Sequence, residues 1–581
     1  LYDCIGKKMM SYAKLPTRHS SYAEAIDSLL GLILSDLGGR LNEVASLNIS
    51  TTVSTNALLE GKGDPSNLIL IGFDKYPHIV SDILGTISPQ SMLKVRGGHT
   101  GWGNEREPLD RAAVENFVKG RQGELFTVSS IYSPRNPGHE AAAKKILLAN
   151  GTGHVTCSHE FSYSRLNSVK RTVTAYLNTS LVPLAGRLID DMGSVAKKHG
   201  LSCPVMFLRS DSTLVPSDWC KMVPIEMIYS GPAASLRGAY HMAGEDSLKS
   251  FLVADIGGTS TDIGRMCGGR AVFSGEGAKI GNYRTMIPSL DIMSIALGGD
   301  SRAEIRGMED VVIGPERSVP LCRIAEEKDI TEAEVIRDIF QDPDEVKGIH
   351  ISLAEDGSNA LSSNITGRRP VLGKWMAEGY SYTPTDAFNA MGLSTVGAPE
   401  ISKAASCLTG KMSGAGGLDI ARAVAGKAHL MLESSVSEFA PGACHLPRVY
   451  VGTPAKVFAK LGIKSGFEII VPENCGVAGA VGAATSSIGL ACRVFIMHSF
   501  SDESFTAFLP ESTISSDDFP KLMEDAENAV TMYLMKLADK MGFPDVKIVT
   551  DKDFSYAGDE NNLSALLSLS MECRAIVKDA Q

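Results

Sequence analysis

The sequence has no run of 18 or more apolar residues, no charged-then-apolar leader and no Cys-x-x-Cys pair. The first absence excludes a helical membrane span, and the second leaves nothing that reads as an export signal. The third, with eleven cysteines scattered at irregular spacing, excludes a disulfide framework or a zinc ribbon. The thiols read as reduced and mostly buried, in a cytoplasmic protein. A basic excess is also missing. The 56 Lys and Arg against 67 Asp and Glu give a net charge of -11, without the clustered basic surface that nucleic acid requires. Hydrophobic residues at 44% and charged residues at 21% exclude a disordered or fibrous chain. A length of 581 residues calls for more than one domain.

What is present is organised around Phe251 to Gly264, an apolar run ending in a carboxylate, two glycines and a cluster of hydroxyls. Phe251 to Ala254 fits a buried strand, and Gly257-Gly258 allows the close backbone approach that a polyphosphate needs. Backbone N–H groups with Thr259, Ser260 and Thr261 suit phosphate oxygens, while Asp255 and Asp262 suit Mg2+, held through its waters. The same residues fit a hairpin with a Gly-Gly turn. The full Asp-x-Gly-Gly-Thr-x-Thr-Asp pattern after a buried strand favours the phosphate loop.

Elsewhere, short apolar strands alternate with helices, which implies an α/β class. Strands are expected at residues 8–14, 67–73, 123–131 and 204–208, with helices at 22–37, 111–119 and 171–192, the last kinked or divided at Pro183. Ser50, Thr51 and Thr52 stand at a strand-to-helix junction, where hydroxyls suit a ligand anion or carbonyl, or an N-cap. Residues 225–230 read as a strand delivering Gly231-Pro-Ala-Ala234. Asp291 falls in an apolar segment and needs a partner, Arg284 or a metal-bound water. A second glycine turn follows at Gly298-Gly299, and a third strand end delivers Gly452-Thr453-Pro454. The small-residue helix at 477–485 suits a nucleotide or close helix packing. His154, Cys157 and His159 invite a metal reading but make a poor ligand set. Residues 322–380 read as an inserted surface subdomain, and residues from 492 onward as a separate C-terminal domain.

The combination resembles the hydantoinase/oxoprolinase family, whose A-type subunits are related to the β-type subunits of acetone and acetophenone carboxylases. Ser50 to Ala57 is similar to the family's Gly-Thr-Thr-x-x-Thr-Asn-Ala motif, with Ser50 in place of glycine, which makes Thr51, Thr52 and Asn56 substrate-side candidates. Ser230-Gly-Pro-Ala233 and Arg209-Ser-Asp211 match segments preceding the main loop, and Asp255 to Asp262 matches the loop itself. Tyr283-Arg284, Asp291, Gly298-Gly299, Gly314-Pro315 and Thr385-Asp386 follow in the family's order.

The resemblance implies an actin-like ATPase (ribonuclease H-like) core of two α/β lobes, with a small additional C-terminal α/β domain. The segments are then 1–160 for the N-terminal lobe, 161–491 for the core lobe and 492–581 for the C-terminal domain. It further implies ATP and Mg2+, and ring opening of a cyclic amide such as hydantoin, 5-oxoproline or a related lactam through a phosphorylated intermediate. The implied partner is a B-type subunit or further copies of the chain. Asp255 and Asp291 become catalytic candidates, Asp255 and Asp262 Mg2+ ligands, Gly257, Gly258, Thr259, Ser260, Thr261, Gly298, Gly299, Gly452 and Thr453 nucleotide contacts, and Ser230 a further substrate-side residue. Members of the family open with another Asp-x-Gly-Gly-Thr-x-Thr-Asp loop that this chain, starting roughly 15 to 20 residues after it by strand and turn lengths, does not contain, whether by truncation or by nature. Gly452-Thr-Pro454 stands where the family commonly has Gly-Gly-Ala-Gly-Pro, and Asp300 where it has a third glycine. The alternatives are a ketone carboxylase subunit and a non-catalytic nucleotide-binding scaffold.

Overall fold

The structure, a computed structural model, describes residues 1–15, 22–161, 166–244, 248–305, 309–340, 375–443, 445–462, 466–499, 503–509, 512–540, 543, 545–556 and 566–577. The middle of the expected 322–380 insert therefore lies outside the described residues. The chain gathers into two compact units, one of Leu1–Ala234, Phe273–Leu290 and Gly479–Gln581, the other of Ser235–Val272 and Asp291–Ala478. The units interleave stretches of chain, whereas the segments read from the sequence are consecutive.

In the first unit a four-stranded parallel sheet runs in the order Met92–Val95, Asn67–Ile71, Phe126–Ser130, Val155–Cys157. Leu68 to Ile71 are fully buried, as the continuous apolar run requires of a strand covered on both faces. The strand expected over 8–14 shrinks to Lys8–Met9, paired with Tyr2–Asp3.

The long helix spans Ser168–Lys198 without dividing at Pro183. Proline removes one helical N–H, but Val173, Leu177, Leu181, Ala185 and Met192 bury one side of the helix on either flank of it. The Asp64 N–H also donates to the Ser180 carbonyl at 2.9 Å, which satisfies one backbone group near the proline. The strand expected over 225–230 is instead a 3-10 turn, Pro224–Met227, followed by the helix Ser230–Gly244. Pro224 fixes φ, and the buried Glu226 accepts from Arg209 at 3.3 Å and Trp219 at 2.7 Å, which holds the turn closed.

The C-terminal residues form a five-stranded antiparallel sheet within this same unit. The helix Phe519–Lys540 lies on it through Leu522, Ala526, Val530, Leu534 and Ala538, a four-residue recurrence that keeps one apolar stripe. That stripe joins Ile49, Leu188, Met192 and Phe207 in one cluster.

The second unit is built on a six-stranded sheet. Its path runs Arg270–Ala271, Thr261–Cys267, Phe251–Ile256, Arg448–Val451, Ile469–Ile470, and Ile292–Ile295 also pairs with Thr261–Cys267. The strands on the Thr261–Cys267 side are antiparallel, and those from Phe251–Ile256 to Ile469–Ile470 are parallel. Helices Pro384–Ala390, Pro399–Met412 and Gly417–Phe439 belong to the same unit, with Ala421, Val424, Ala428 and Leu432 in the buried stripe of the last. No helix among the described residues is long and apolar enough to cross a membrane.

Candidate functional site

The register places Asp255 directly opposite Asp262 and Ile256 opposite Thr261. Residues 257–260 therefore form the turn of a hairpin, closed by the Gly257 N–H donating to the Ser260 carbonyl at 2.9 Å. The hairpin and the loop are one object. Gly258 and Thr259 are exposed and Ser260 partly so, whereas Thr261 is buried with its hydroxyl donating to the Leu297 carbonyl at 2.7 Å.

A second loop is laid against the first. Gly299 N–H donates to the Gly257 carbonyl at 3.0 Å and Asp300 N–H to the Gly258 carbonyl at 2.7 Å. A Cβ on Gly298 would stand 2.2 Å from the Gly258 oxygen, so only glycine permits this approach. The third loop follows Arg448–Val451, which runs parallel to Phe251–Ile256 with Val451 beside Asp255. Gly452 there has φ +91, and a Cβ on it would meet the Ile256 oxygen at 2.1 Å and an Asp255 carboxylate oxygen at 2.9 Å. Thr453 beyond it is exposed. Three glycine turns, distant in sequence, thus close on the ends of two neighbouring strands within one unit.

The electrostatics are those of a paired acid. Side chains directly opposite in an antiparallel pair share a face of the sheet, about 5 Å apart at Cβ. Burial pushes the Asp262 carboxyl up to about 6, the Ser294 hydroxyl opposes that shift, and the Asp255 charge adds to it. Ser294 lies opposite Asp262 on the other flanking strand. Asp300 adds a third carboxylate, held by Arg317 at 3.4 Å, with one oxygen 2.8 Å from where a Gly258 Cβ would be.

Asp291 does not join this group. It precedes the Ile292–Ile295 strand, three residues and so about 10 Å from Ser294 along the extended chain. Its N–H donates to the Val272 carbonyl at 2.8 Å. Arg284, expected as its partner, pairs with Glu276 and belongs to the other unit.

The substrate-side candidates come together in the first unit. Thr51 N–H donates to Ser230 Oγ at 3.2 Å, and that hydroxyl donates back to the Thr51 carbonyl at 2.9 Å. Asn56 Nδ2 reaches Thr52 Oγ1 at 3.4 Å, within the helix Val53–Leu59. Thr52 stands at the N-cap of that helix but makes no side-chain capping bond, and it is Thr51 Oγ1 that accepts from the Val53 N–H at 3.1 Å.

The histidine and cysteine cluster takes a form that sequence reasoning missed. Glu140, Cys157 and His159 stand close enough together to hold an ion, while His154 turns to Thr156 at 3.1 Å. The Glu140 carboxylate is already filled. It accepts from Ser130 N at 2.6 Å, Ser158 Oγ at 2.6 Å, His159 N at 2.9 Å and His159 Nδ1 at 2.6 Å. Burial alone would raise this carboxyl, but His159, the nearby Arg171 charge and Ser158 outweigh it and hold it at about 2. With its four lone-pair positions used, Glu140 serves an internal ion-pair network. The sequence signal was available in two charged residues, Glu140 and Arg171, set in the first turns of their helices.

Residues 171–393 match the model of the hydantoinase/oxoprolinase family, and residues 3–151 match the model of the hydantoinase/oxoprolinase N-terminal region. Caprolactamase subunit alpha of Pseudomonas jessenii is 28% identical over 46% of this chain and 40% of its own length. 5-Oxoprolinase 1 of Arabidopsis thaliana is 24% identical over 46% of this chain and 23% of its own length. The gamma subunit of acetophenone carboxylase from Aromatoleum aromaticum is 24% identical over 54% and 47%. The match spans less than half the length of each of these three.

Among solved structures, ATP-dependent caprolactamase from Pseudomonas jessenii superimposes with a TM-score of 0.70 at 18% identity, covering 99% of this chain and 85% of that one. Nucleotide-free acetone carboxylase gives 0.66 at 14%, covering 97% and 84%. These two likenesses establish a shared mixed α/β fold. On the two family models, which together account for most of the described chain, this protein belongs to the hydantoinase/oxoprolinase family.

Proposed function

We propose that the chain is the ATP-using subunit of an enzyme that opens a cyclic amide such as a lactam, 5-oxoproline or hydantoin. The observation that carries the reading is the convergence of loops 257–260, 298–300 and 452–453 on the Asp255–Asp262 pair. Three antiparallel strands followed by two parallel ones is the strand order of a ribonuclease H-like lobe, which supports an actin-like core. The relatives supply the substrate class, since one is a caprolactamase subunit and another a 5-oxoprolinase.

The residues fit MgATP. Glycine at 298 and 452 lets the flanking loops close on the backbone of the central hairpin, and two adjacent carboxylates, one of them hard to ionise alone, suit a hydrated divalent ion. Asp255 and Asp262 would hold that ion through its waters, while the exposed turn at Gly258, Thr259 and Ser260 offers N–H and hydroxyl donors to phosphate oxygens. ATP would supply, with ADP leaving, the phosphoryl group that turns the unreactive amide carbon into an imidate-like electrophile; water adds there, the ring nitrogen leaves as the amine, and hydrolysis of the remaining acyl phosphate releases phosphate. Thr51, Thr52, Asn56 and Ser230 are assigned to the cyclic amide, and Asp291, which stands away from the acidic pair, is given no role.

Phosphate release in the presence of caprolactam, 5-oxoproline or hydantoin, with and without a B-type partner, tests the reading, and stimulation by a cyclic amide is expected. A second reading is a ketone carboxylase subunit. It is favoured by the acetophenone carboxylase relative, and ATP turnover that requires bicarbonate and a ketone would single it out.

A further inference from the structure

The Asp386 carboxylate is wholly buried and held by five neutral donors: Leu321 N–H at 3.1 Å, Cys322 N–H at 3.0 Å, Thr383 N–H at 3.1 Å, Thr383 Oγ1 at 3.0 Å and Ser402 Oγ at 2.9 Å. Burying a carboxylate is costly, and a helix cap alone needs no such investment. Thr383 and Asp386 form a reciprocal capping box at the start of Pro384–Ala390, where Pro384 also presets the backbone. The first turn of this short helix is therefore fixed from three sides, by its own cap, by the 321–322 turn and by the helix carrying Ser402.

What the fixed turn presents is Thr385. Its N–H, one of the donors that a helix start leaves unpaired, reaches the Gly299 carbonyl at 2.9 Å, and its hydroxyl reaches the same oxygen at 2.8 Å. A Cβ on Gly299 would meet that hydroxyl at 2.7 Å, so the loop is pressed against the threonine. Gly299 and Asp300 in turn donate to Gly257 and Gly258. Hydrogen bonds, joined by one-residue steps of backbone at 385–386 and 299–300, thus link the buried carboxylate to the loop that follows Asp255.

We propose that Thr385 is a positioning residue, and Asp386 its anchor, which together latch the 298–300 loop onto the 257–260 loop and so set the geometry of the phosphate cradle. The last step rests on the nucleotide reading given above. The latch itself does not.

The test compares Thr385→Val, which keeps the shape and the N–H but loses the hydroxyl donor, with Thr385→Ser, which keeps the donor. Peptide-resolved hydrogen exchange of the full chain is read over residues 297–301 and, as a control, over Pro399–Met412. Thr385→Val is expected to speed exchange at 297–301 about fivefold, the loss of one hydrogen bond, with the control helix unchanged and Thr385→Ser like the parent. Exchange at 297–301 that is unchanged in Thr385→Val, or raised equally in Thr385→Ser, overturns the latch. MgATP affinity by calorimetry is measured on the same proteins, and the latch predicts about fivefold weaker binding in Thr385→Val alone. A parent chain that binds no MgATP defeats the nucleotide reading, while hydrogen exchange still decides the latch.

Discussion

Asp255 and Asp262 face each other across neighbouring antiparallel strands, one near the end of a buried strand and the other at the start of its return. Two like charges so placed disfavour each other unless a proton or a cation stands between them.

The proton sets a pH dependence. Asp262 ionises only at about 6 in the fold, against an ordinary value of 3.8. The unfolded chain releases this proton first as pH rises, so the stability that the group contributes is full below about 4 and lost between there and about 6. Asp262→Asn removes the penalty. Without divalent ions the variant should be more stable than the parent at pH 7.5, by on the order of 2 kcal/mol, with the difference vanishing at pH 4. Denaturant melts at the two pH values measure it. Mg2+ should stabilise the parent more than the variant.

Glycine substitutions separate cradle from scaffold. Gly298→Ala drives a methyl into the Gly258 carbonyl and should part the two loops, weakening MgATP binding at least about tenfold. Gly452→Ala combines φ +91 with a 2.1 Å contact on Ile256 and should cost about 2 to 4 kcal/mol in a denaturant melt. Gly186→Ala is the control, since it lies inside the long helix with open space around it and should stabilise by about 0.5 to 1 kcal/mol.

The Glu140 network predicts the opposite pH sign. With its folded value held at about 2 against an ordinary 4.5, Glu140 contributes stability above about 4.5 that is lost as pH falls towards 2. Glu140→Ala strands Arg171 and His159 and should cost about 3 to 5 kcal/mol. A chelator should leave the melting curve of the parent unchanged, because the carboxylate is already filled by protein donors.

The sequence made the central loop legible because strand burial, turn chemistry and carboxylate spacing all lie within fourteen residues, Phe251 to Gly264. The alternation of strands and helices in the first unit was legible for the same local reason. What was not legible depended on partners far along the chain. Pro183 reads locally as a break, yet tertiary packing carries the helix through it. Residues 225–230 read as a strand because four of the six are apolar or aromatic, but Pro224 and the Arg209–Glu226 pair impose a turn. Asp291 reads as a site residue from its odd place in an apolar run, and only the register shows that it stands away from Asp255 and Asp262. The clasp of Gly298 on Gly258, 40 residues apart, has no local signature at all.

Asp255→Ala removes one half of the acidic pair from a partly buried strand end, where truncation leaves the sheet register and the three glycine turns in place. The variant should melt within about 1 kcal/mol of the parent while losing nucleotide-dependent activity.

The most direct measurement is phosphate release from MgATP by the full chain, combined with a B-type partner, as a function of added cyclic amide. Release that rises with caprolactam, 5-oxoproline or hydantoin and is abolished by Asp255→Ala is expected. Release that no cyclic amide stimulates, or that persists in Asp255→Ala, contradicts the proposed function.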